Sequence, residues 1–197
     1  MALTKNVFSV LKTIALSDEK LNQRQLAEEA ELSLGSVNSA VKTLEDQGLI
    51  EEGLITPKGF EALKPYEVKN AIIMAAGLSS RFAPISYEKP KGVLKVRGEV
   101  LIERQIHQLL EAGITDITVV VGYKKEYFFY LGEKYGVKIV VNPDYATRNN
   151  NSTLWYVKDQ LDNTYICSSD DYFTQNPFEH YVYEAYYSAT YVAGETD

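Results

Sequence analysis

KNAIIMAAGLSSRFAPISYEKPKGVL, residues Lys69 to Leu94, is the stretch that decides how this chain reads. It opens on an apolar run, Ala71 to Ala76, of the kind that forms a strand buried on both faces. The run breaks at Gly77-Leu78-Ser79-Ser80-Arg81 and returns to a strand-like Gly92-Val93-Leu94-Lys95-Val96. A buried strand emptying into a small-residue loop turns several backbone N–H groups toward one point, which is an anion cradle. Ala75, Ala76, Gly77, Leu78, Ser79 and Ser80 supply that backbone. Arg81 adds a fork of donors matched to phosphate oxygens. Ten residues on, Lys91 adds a point charge on a flexible stem. The assembly reads as a triphosphate site. It is neither a P-loop, because no Gly-Lys-Ser/Thr follows, nor the G-x-G-x-x-G dinucleotide fingerprint.

Working outward, the segments after the loop alternate between helix and strand patterns. Leu101 to Ala112 is an amphipathic helix stopped by Gly113, and Ile117 to Val121 is a strand. Lys124 to Tyr135 reads as a helix ended by Gly136, Val137 to Val141 as a strand, Thr153 to Leu161 as a helix, and Thr164 to Ser168 as a strand. This alternation predicts an α/β, Rossmann-like, mostly parallel sheet with its site at the strands' C-terminal ends. Ser168-Ser169-Asp170-Asp171-Tyr172 leaves such an end. Mg²⁺ on a triphosphate takes one or two carboxylates, with phosphate oxygens and water completing its shell. Asp170 is therefore the candidate metal ligand and Asp171 a helper, with a turn or cap aspartate as the plainer use. Asn149-Asn150-Asn151-Ser152 could read a base edge or phosphate through amide groups, or could simply cap the helix that follows. His107 and His180 lack the companions of a metal set.

The first third is organised differently. Residues 4–16 put Val7, Val10, Leu11, Ile14 and Leu16 on one helical face. Asn22 to Ala30 is a short second helix, and Leu34 to Gly48 a third, entered through Ser33. A tight hairpin follows at 49–55, then one helical turn capped at Thr56-Pro57. Three helices and a hairpin resemble a winged helix-turn-helix. The third helix would offer Ser36, Asn38, Ser39 and Lys42 to DNA. Residues 1–64 nevertheless carry seven Lys/Arg against ten Asp/Glu, a net of −3, so the phosphate footprint is missing. DNA binding and protein docking both stay open. Lys64 to Glu67 is the linker, dividing a domain at 1–65 from one at 69–197.

The signature loop resembles that of the nucleotidyltransferases that join an NTP to a phosphorylated sugar or alcohol. That family has a Gly-rich loop, an Arg, a Pro three residues later and a Pro-Lys pair nine and ten residues later, met here by Gly77, Arg81, Pro84, Pro90 and Lys91. Asn142-Pro143-x-Tyr145, the Asn pair Asn149-Asn150, Asp170-x-Tyr172 and the tail through Gly194-Glu195-Thr196 are similar to the bacterial CTP:phosphocholine cytidylyltransferases. The resemblance implies CTP and phosphocholine as substrates and Mg²⁺ as cofactor. It implies Arg81 and Lys91 as catalytic groups, Asp170 as metal ligand, and Asn149, Asn150 and Ser152 beside the nucleotide. A sugar 1-phosphate transferase and a nucleotide-sensing regulator that binds DNA through its winged helix are the alternatives. The family's sequence continues for roughly a hundred residues past Gly-Glu-Thr, about the remainder of one α/β domain. A second metal carboxylate and an aromatic enclosure for the choline ammonium are expected there. In this chain Tyr181, Tyr183, Tyr186, Tyr187 and Tyr191 offer aromatic faces, with packing as the plainer use.

Composition bounds the rest. The single cysteine, Cys167, excludes a disulfide framework and fits a reducing cytoplasm. The N-terminus lacks a signal-peptide pattern, and no run is long enough to span a bilayer. The formal charge of −7 advertises no nucleic-acid partner.

Overall fold

A computed structural model describes residues 2–148 and 151–189, without the side chains of Arg81 and Asn151. The described residues form two compact units, one built from 2–67 together with 181–189, the other from Val68–His180.

The first unit is a winged helix-turn-helix. It comprises α1 (Lys5–Leu16), α2 (Gln23–Glu29), α3 (Leu34–Asp46), the hairpin β1 (Ile50–Glu51) and β2 (Leu54–Ile55), and α4 (Pro57–Leu63). Local chemistry fixes the helix starts. The Asn22 side chain accepts from the N–H groups of Arg24 and Gln25, and the Gln25 side chain accepts from the Asn22 N–H at 2.9 Å, a capping box. Ser33 caps α3 through the Ser36 N–H at 3.2 Å, and Thr56 caps α4 through the Gly59 N–H at 3.1 Å, each worth about 1 kcal/mol. The apolar face of α1 (Val7, Phe8, Val10, Leu11, Ile14) packs with Leu26, Val37, Ala40, Leu44, Ile50 and Leu63. Each of these side chains except Ala40 contributes roughly 1.5–3 kcal/mol on burial.

The segment from Tyr181 to Tyr183 packs against the core of the helical unit. Tyr181 forms an antiparallel bridge with Glu67, and the Val182 N–H donates to the Tyr66 carbonyl at 2.8 Å. The Tyr183 ring stacks on Tyr66 at 5.7 Å and tilts against Phe8 at 5.4 Å, while its hydroxyl donates to the Leu3 carbonyl at 3.1 Å. Apolar and aromatic surface left on α1 and Tyr66 is what captures it. Tyr186 and Tyr187 are exposed, and Tyr191 lies outside the described residues.

The second unit holds a four-stranded, all-parallel sheet in the order β7–β6–β3–β8. Its strands are β3 (Asn70–Ala75), β6 (Ile117–Val121), β7 (Lys138–Val141) and β8 (Thr164–Ser168). All five positions of β6 are buried, as a strand covered on both faces requires. On one face Ile72 and Val120 pack with Val157, Met74, Val140 and Leu154. The helix α5 (Leu101–Glu111) buries Leu101, Ile102, Gln105, Ile106, Gln108 and Leu109 along one stripe.

Three expected elements take a different form. Gly92 to Val96 is not one strand. Lys91–Val93 is a 3-10 turn, with the Val93 N–H bonded to the Pro90 carbonyl, and only β4 (Lys95–Val96) pairs, with β5 (Glu99–Val100). The helix expected from Lys124 starts with Lys124 itself left-handed (φ 51°), runs as a 3-10 turn over Lys125–Phe128, and becomes α6 only at Tyr130–Tyr135. The helix expected over 153–161 is α7 (Asn151–Trp155) followed by a separate 3-10 turn at Lys158–Gln160. In each case tight i→i+3 bonding at a loop overrides the local pattern.

Candidate active site

The chain runs from β3 to β6 and β7 on one side, then returns to β8 on the other. The strand order therefore reverses between β3 and β8, and a crevice opens outside the carboxyl ends of those two strands. The Ser169 N–H donates to the Met74 carbonyl at 3.1 Å, carrying the ladder one residue past β8. That bond sets Ser168 to Asp170 beside Ala75 to Gly77.

A cavity of ≈ 320 Å³ lies at this point. Among the candidate residues, Ala75, Ala76, Gly77, Leu78, Ser79, Ser80, Lys91 and Asp170 line it. Among the described residues, the N–H groups of Gly77 to Ser80 have no protein acceptor. Backbone donors without partners are costly away from water, so their place is a polar cavity able to take an anion. Ser79 is held left-handed (φ 54°), which turns the loop sharply into the following 3-10 turn. Nothing lies within 4 Å of where a Cβ on Gly77 would project, so the backbone is open to close approach there.

Asp170 and Lys91, 79 residues apart in sequence, meet at 3.1 Å. The Ser168 hydroxyl donates to the other carboxylate oxygen at 2.6 Å. Burial alone would push the Asp170 carboxyl up. The Ser168 hydroxyl and the Lys91 ammonium outweigh it and hold the group below the ordinary carboxylate range. Asp171 goes the other way, pushed up by burial and then by the charge of Asp170. The turn thus separates two adjacent carboxyls, one kept ionised in the cavity and one disfavoured as an anion. The Lys91 ammonium also stands 5.4 Å from the centre of the Phe82 ring.

The close fit beneath Lys91 explains Gly92. A Cβ there would stand 2.9 Å from Ser169 Cβ and 3.2 Å from Phe128 Cε1, inside ordinary van der Waals distance. Ser152 does not line the cavity. Its hydroxyl accepts from Asn142 Nδ2 at 3.4 Å, and its neighbour Thr153 lines the cavity instead. Asn149, Asn150 and the Arg81 side chain lie outside the described residues.

Two side chains that sequence reasoning missed hold the site from behind. Lys124 donates to the carbonyls of Tyr87 at 2.7 Å and Glu88 at 3.1 Å, fastening the loop that leads to Lys91. Gln105 on α5 donates to the carbonyls of Ser168 at 2.7 Å and Asp171 at 2.8 Å. Two glutamines, Gln105 and Gln108, on the core-facing stripe of an amphipathic helix were the visible signal for Gln105. Asn142, of the Asn142-Pro143-x-Tyr145 motif, is buried and donates to Thr153 Oγ1 at 3.1 Å while accepting from the Asp144 N–H at 2.9 Å. It ties the end of β7 to the start of α7.

Among the described residues no group of three His, Cys, Asp or Glu could cage a metal ion. One ionised carboxylate at a cavity with free amide donors is instead the donor set for magnesium held mostly by phosphate oxygens and water. Asp170 would hold it, and the residues present fit that role.

On the third helix Asn38, Ser39 and Lys42 are exposed. Ser36 is half-buried, and its hydroxyl is 2.9 Å from that of Ser33 at the helix cap.

The sheet order, the crevice at its reversal and the loop with free amides define an α/β domain with an anion-ready cavity at its switch point. Residues 71–193 match the MobA-like NTP transferase domain, and the chain belongs to that family. Residues 3–51 match a winged helix-turn-helix DNA-binding family. The chain is 45% identical over 121 residues to choline-phosphate cytidylyltransferase of Streptococcus pneumoniae, covering 61% of this chain and 53% of that protein. It is 46% identical over 107 residues to 2-aminoethylphosphonate cytidylyltransferase of Lancefieldella rimae, covering 53% and 44%. A solved structure of CTP:phosphocholine cytidylyltransferase from Streptococcus pneumoniae superposes with a TM-score of 0.55 at 47% identity, over 56% of this chain and 49% of that one. The chain therefore spans about half the length of the curated relatives it matches. Among the described residues no helix is long and apolar enough to cross a membrane.

Proposed function

We propose that this chain carries the nucleotide-binding part of a cytidylyltransferase that joins CTP to phosphocholine or a related amino-phosphonate, releasing pyrophosphate. The observation that carries the reading is the convergence of the Gly77–Ser80 amides, Lys91 and Asp170 on one cavity at the reversal point of the sheet. The names of two relatives support the choice of CTP. Their acceptors share one chemistry, an anionic phosphoryl group on a short chain ending in a cationic nitrogen.

An oxygen of the acceptor phosphate would attack the α-phosphorus in line, and the bond to the bridging oxygen would break as pyrophosphate leaves. No covalent intermediate on the protein is needed, so the residues act by positioning and charge neutralisation. The amides of Gly77 to Ser80 hold the triphosphate, and Arg81 neutralises the departing pyrophosphate. Lys91, now paired with Asp170, exchanges that partner for the charge growing at the α-phosphate. Asp170 would hold Mg²⁺, which when bound supplies Lewis-acid neutralisation of the phosphates. The resemblance would put Asn149, Asn150 and Ser152 beside the nucleotide; the Ser152 and Thr153 hydroxyls both accept from Asn142.

The test is pyrophosphate release by this chain with Mg²⁺, each NTP in turn, and phosphocholine, 2-aminoethylphosphonate or a sugar 1-phosphate. Release with CTP and one amino-phosphoryl acceptor establishes the whole activity in this chain, and CTP binding with no release in any tube shows that it holds only the nucleotide half of the site. Release only with a sugar 1-phosphate would move the activity to the sugar branch of the family. The winged helix, with Asn38, Ser39 and Lys42 exposed on its third helix, favours a second reading in which nucleotide occupancy regulates DNA binding. A steep fall in DNA affinity with salt, altered by CTP, would support that reading.

A further inference from the structure

We propose that Gln105 is a positioning residue. Its amide sets the turn that presents Asp170, and through it the affinity for a divalent cation with nucleotide. The ligand in this inference rests on the nucleotidyl-transfer reading, whereas the geometry does not. Gln105 is 1% exposed, on a stripe of α5 shared with Ile102, Ile106 and Leu109, all fully buried. Its Nε2 donates to the carbonyls of Ser168 at 2.7 Å and Asp171 at 2.8 Å. Those two carbonyls bracket Ser169 and Asp170.

Both partners are acceptors, so only the NH₂ end of the amide fits between them. Oε1 is left buried with no partner among the described residues. An unpartnered buried acceptor is unfavourable. A methionine or leucine would fill the same space without it. The two donated bonds are what a polar side chain adds here, and they are shorter than the backbone bonds that hold the turn; the Ser168 hydroxyl, at 2.6 Å from the Asp170 carboxylate, aims the side chain but not the backbone. The turn's own closure, from the Asp171 N–H to the Ser168 carbonyl, is 3.3 Å, and the ladder bond from Ser169 to Met74 is 3.1 Å, both weaker by length. Neighbouring α5 side chains act further along. Arg104 donates to the carbonyls of Phe173 and Thr174, and Gln108 donates to that of Phe173 at 3.2 Å. Of these three, Gln105 alone grips the turn that carries the carboxylate.

The experiment uses the 197-residue chain, its Gln105→Met and Gln105→Glu variants, and Gln108→Met as control. Two readouts are taken: amide hydrogen exchange over 169–171, and Mn²⁺ binding in the presence of CTP by electron paramagnetic resonance. In both Gln105 variants the 169–171 amides exchange about tenfold faster or more and the Mn²⁺ dissociation constant rises about 10–100-fold, the usual effect of losing a group that orients a ligand. The β6 amides stay protected, and Gln108→Met changes neither readout. Gln105→Glu matches the native side chain in size, so a shared result isolates the lost donors from lost volume. Unchanged exchange at the turn overturns the inference, as does faster exchange with unchanged Mn²⁺ affinity. Failure of the wild-type chain to bind Mn²⁺ with CTP would sink the nucleotidyl-transfer reading and the ligand half of this one, while the exchange data still decide whether Gln105 holds the turn.

Discussion

Gly92→Ala tests the packing under the site with a single methyl group. The new Cβ would meet Ser169 Cβ at 2.9 Å, Ser169 Oγ at 3.0 Å and Phe128 Cε1 at 3.2 Å. Carbon contacts relax to about 3.5–4.0 Å, so the walls must part by roughly half an ångström. Neither wall yields easily. Phe128 is 1% exposed, and Ser169 Cβ is attached to the backbone of the Asp170 turn. Overpacking of this kind costs about 1–3 kcal/mol. The gain from stiffening the unfolded chain, about 0.4–1 kcal/mol for Gly→Ala, offsets only part of it. A net loss of about 1–2 kcal/mol shifts Tm by roughly 3–10 °C, read by circular dichroism. Because the turn moves with Ser169, Mn²⁺–CTP binding weakens too, by about tenfold or more. Gly77→Ala is the matched control, because its Cβ meets no atom within 4 Å. It leaves Tm unchanged but weakens nucleotide binding by crowding the cradle. Equal Tm and equal affinity in Gly92→Ala and wild type would refute the packing stated for Ser169 and Phe128.

In a catalytically competent form, Lys91→Ala lowers kcat by about 10²–10³-fold with the fold intact, and unchanged turnover removes Lys91 from the mechanism. Asp170→Asn abolishes divalent-cation-dependent turnover, and retained dependence moves the ligand role elsewhere. Glu103 gives a pH prediction. Burial pushes its carboxyl up, but hydrogen bonds from Lys134, Tyr130 and Tyr135 outweigh that and hold it below the ordinary value. A carboxyl lowered on folding stabilises fully above its unfolded pKa, about 4.3, and that contribution vanishes as pH falls through the lower folded value. Glu103→Gln therefore lowers the urea midpoint at pH 7 and converges on wild type in acid, and a gap independent of pH contradicts the network. Tyr183→Ala removes ring contacts with Phe8 and Tyr66, worth about 0.5–1.5 kcal/mol each beyond area, and unfolding of the helical unit at lower urea is the readout.

The helical unit was legible because its signals are local. Ser33 and Thr56 cap the helices they precede, and the spacing of Val7, Val10, Leu11 and Ile14 marks the buried face. The parallel sheet was legible from apolar runs such as Ile117 to Val121 alternating with helical stretches. The cradle and the carboxylate were found separately, each at the end of a strand. Their meeting at 3.1 Å follows from β8 lying beside β3, which strand patterns alone do not dictate. Loop geometry was misread where bonding within a turn outweighs side-chain pattern, as at Lys91–Val93 and Lys125–Phe128. Gln105 was missed because its partners are backbone carbonyls 63 and 66 residues away, and carbonyls leave no mark in a sequence. The return of Tyr183 to Phe8 was hidden for a related reason: a tyrosine looks the same whichever core it serves.

That return bears on the order of synthesis. Along the sequence, Val68–His180 falls between the two parts of the helical unit. The bond from the Tyr183 hydroxyl to the Leu3 carbonyl spans 180 positions. At about 5–20 residues per second, the helices emerge and then wait some 6–23 seconds for the segment that completes their core. The first part of the chain to be made is the last to be finished. Until then Phe8 and Tyr66 lack the ring that later covers them, a nascent surface on which a chaperone could act.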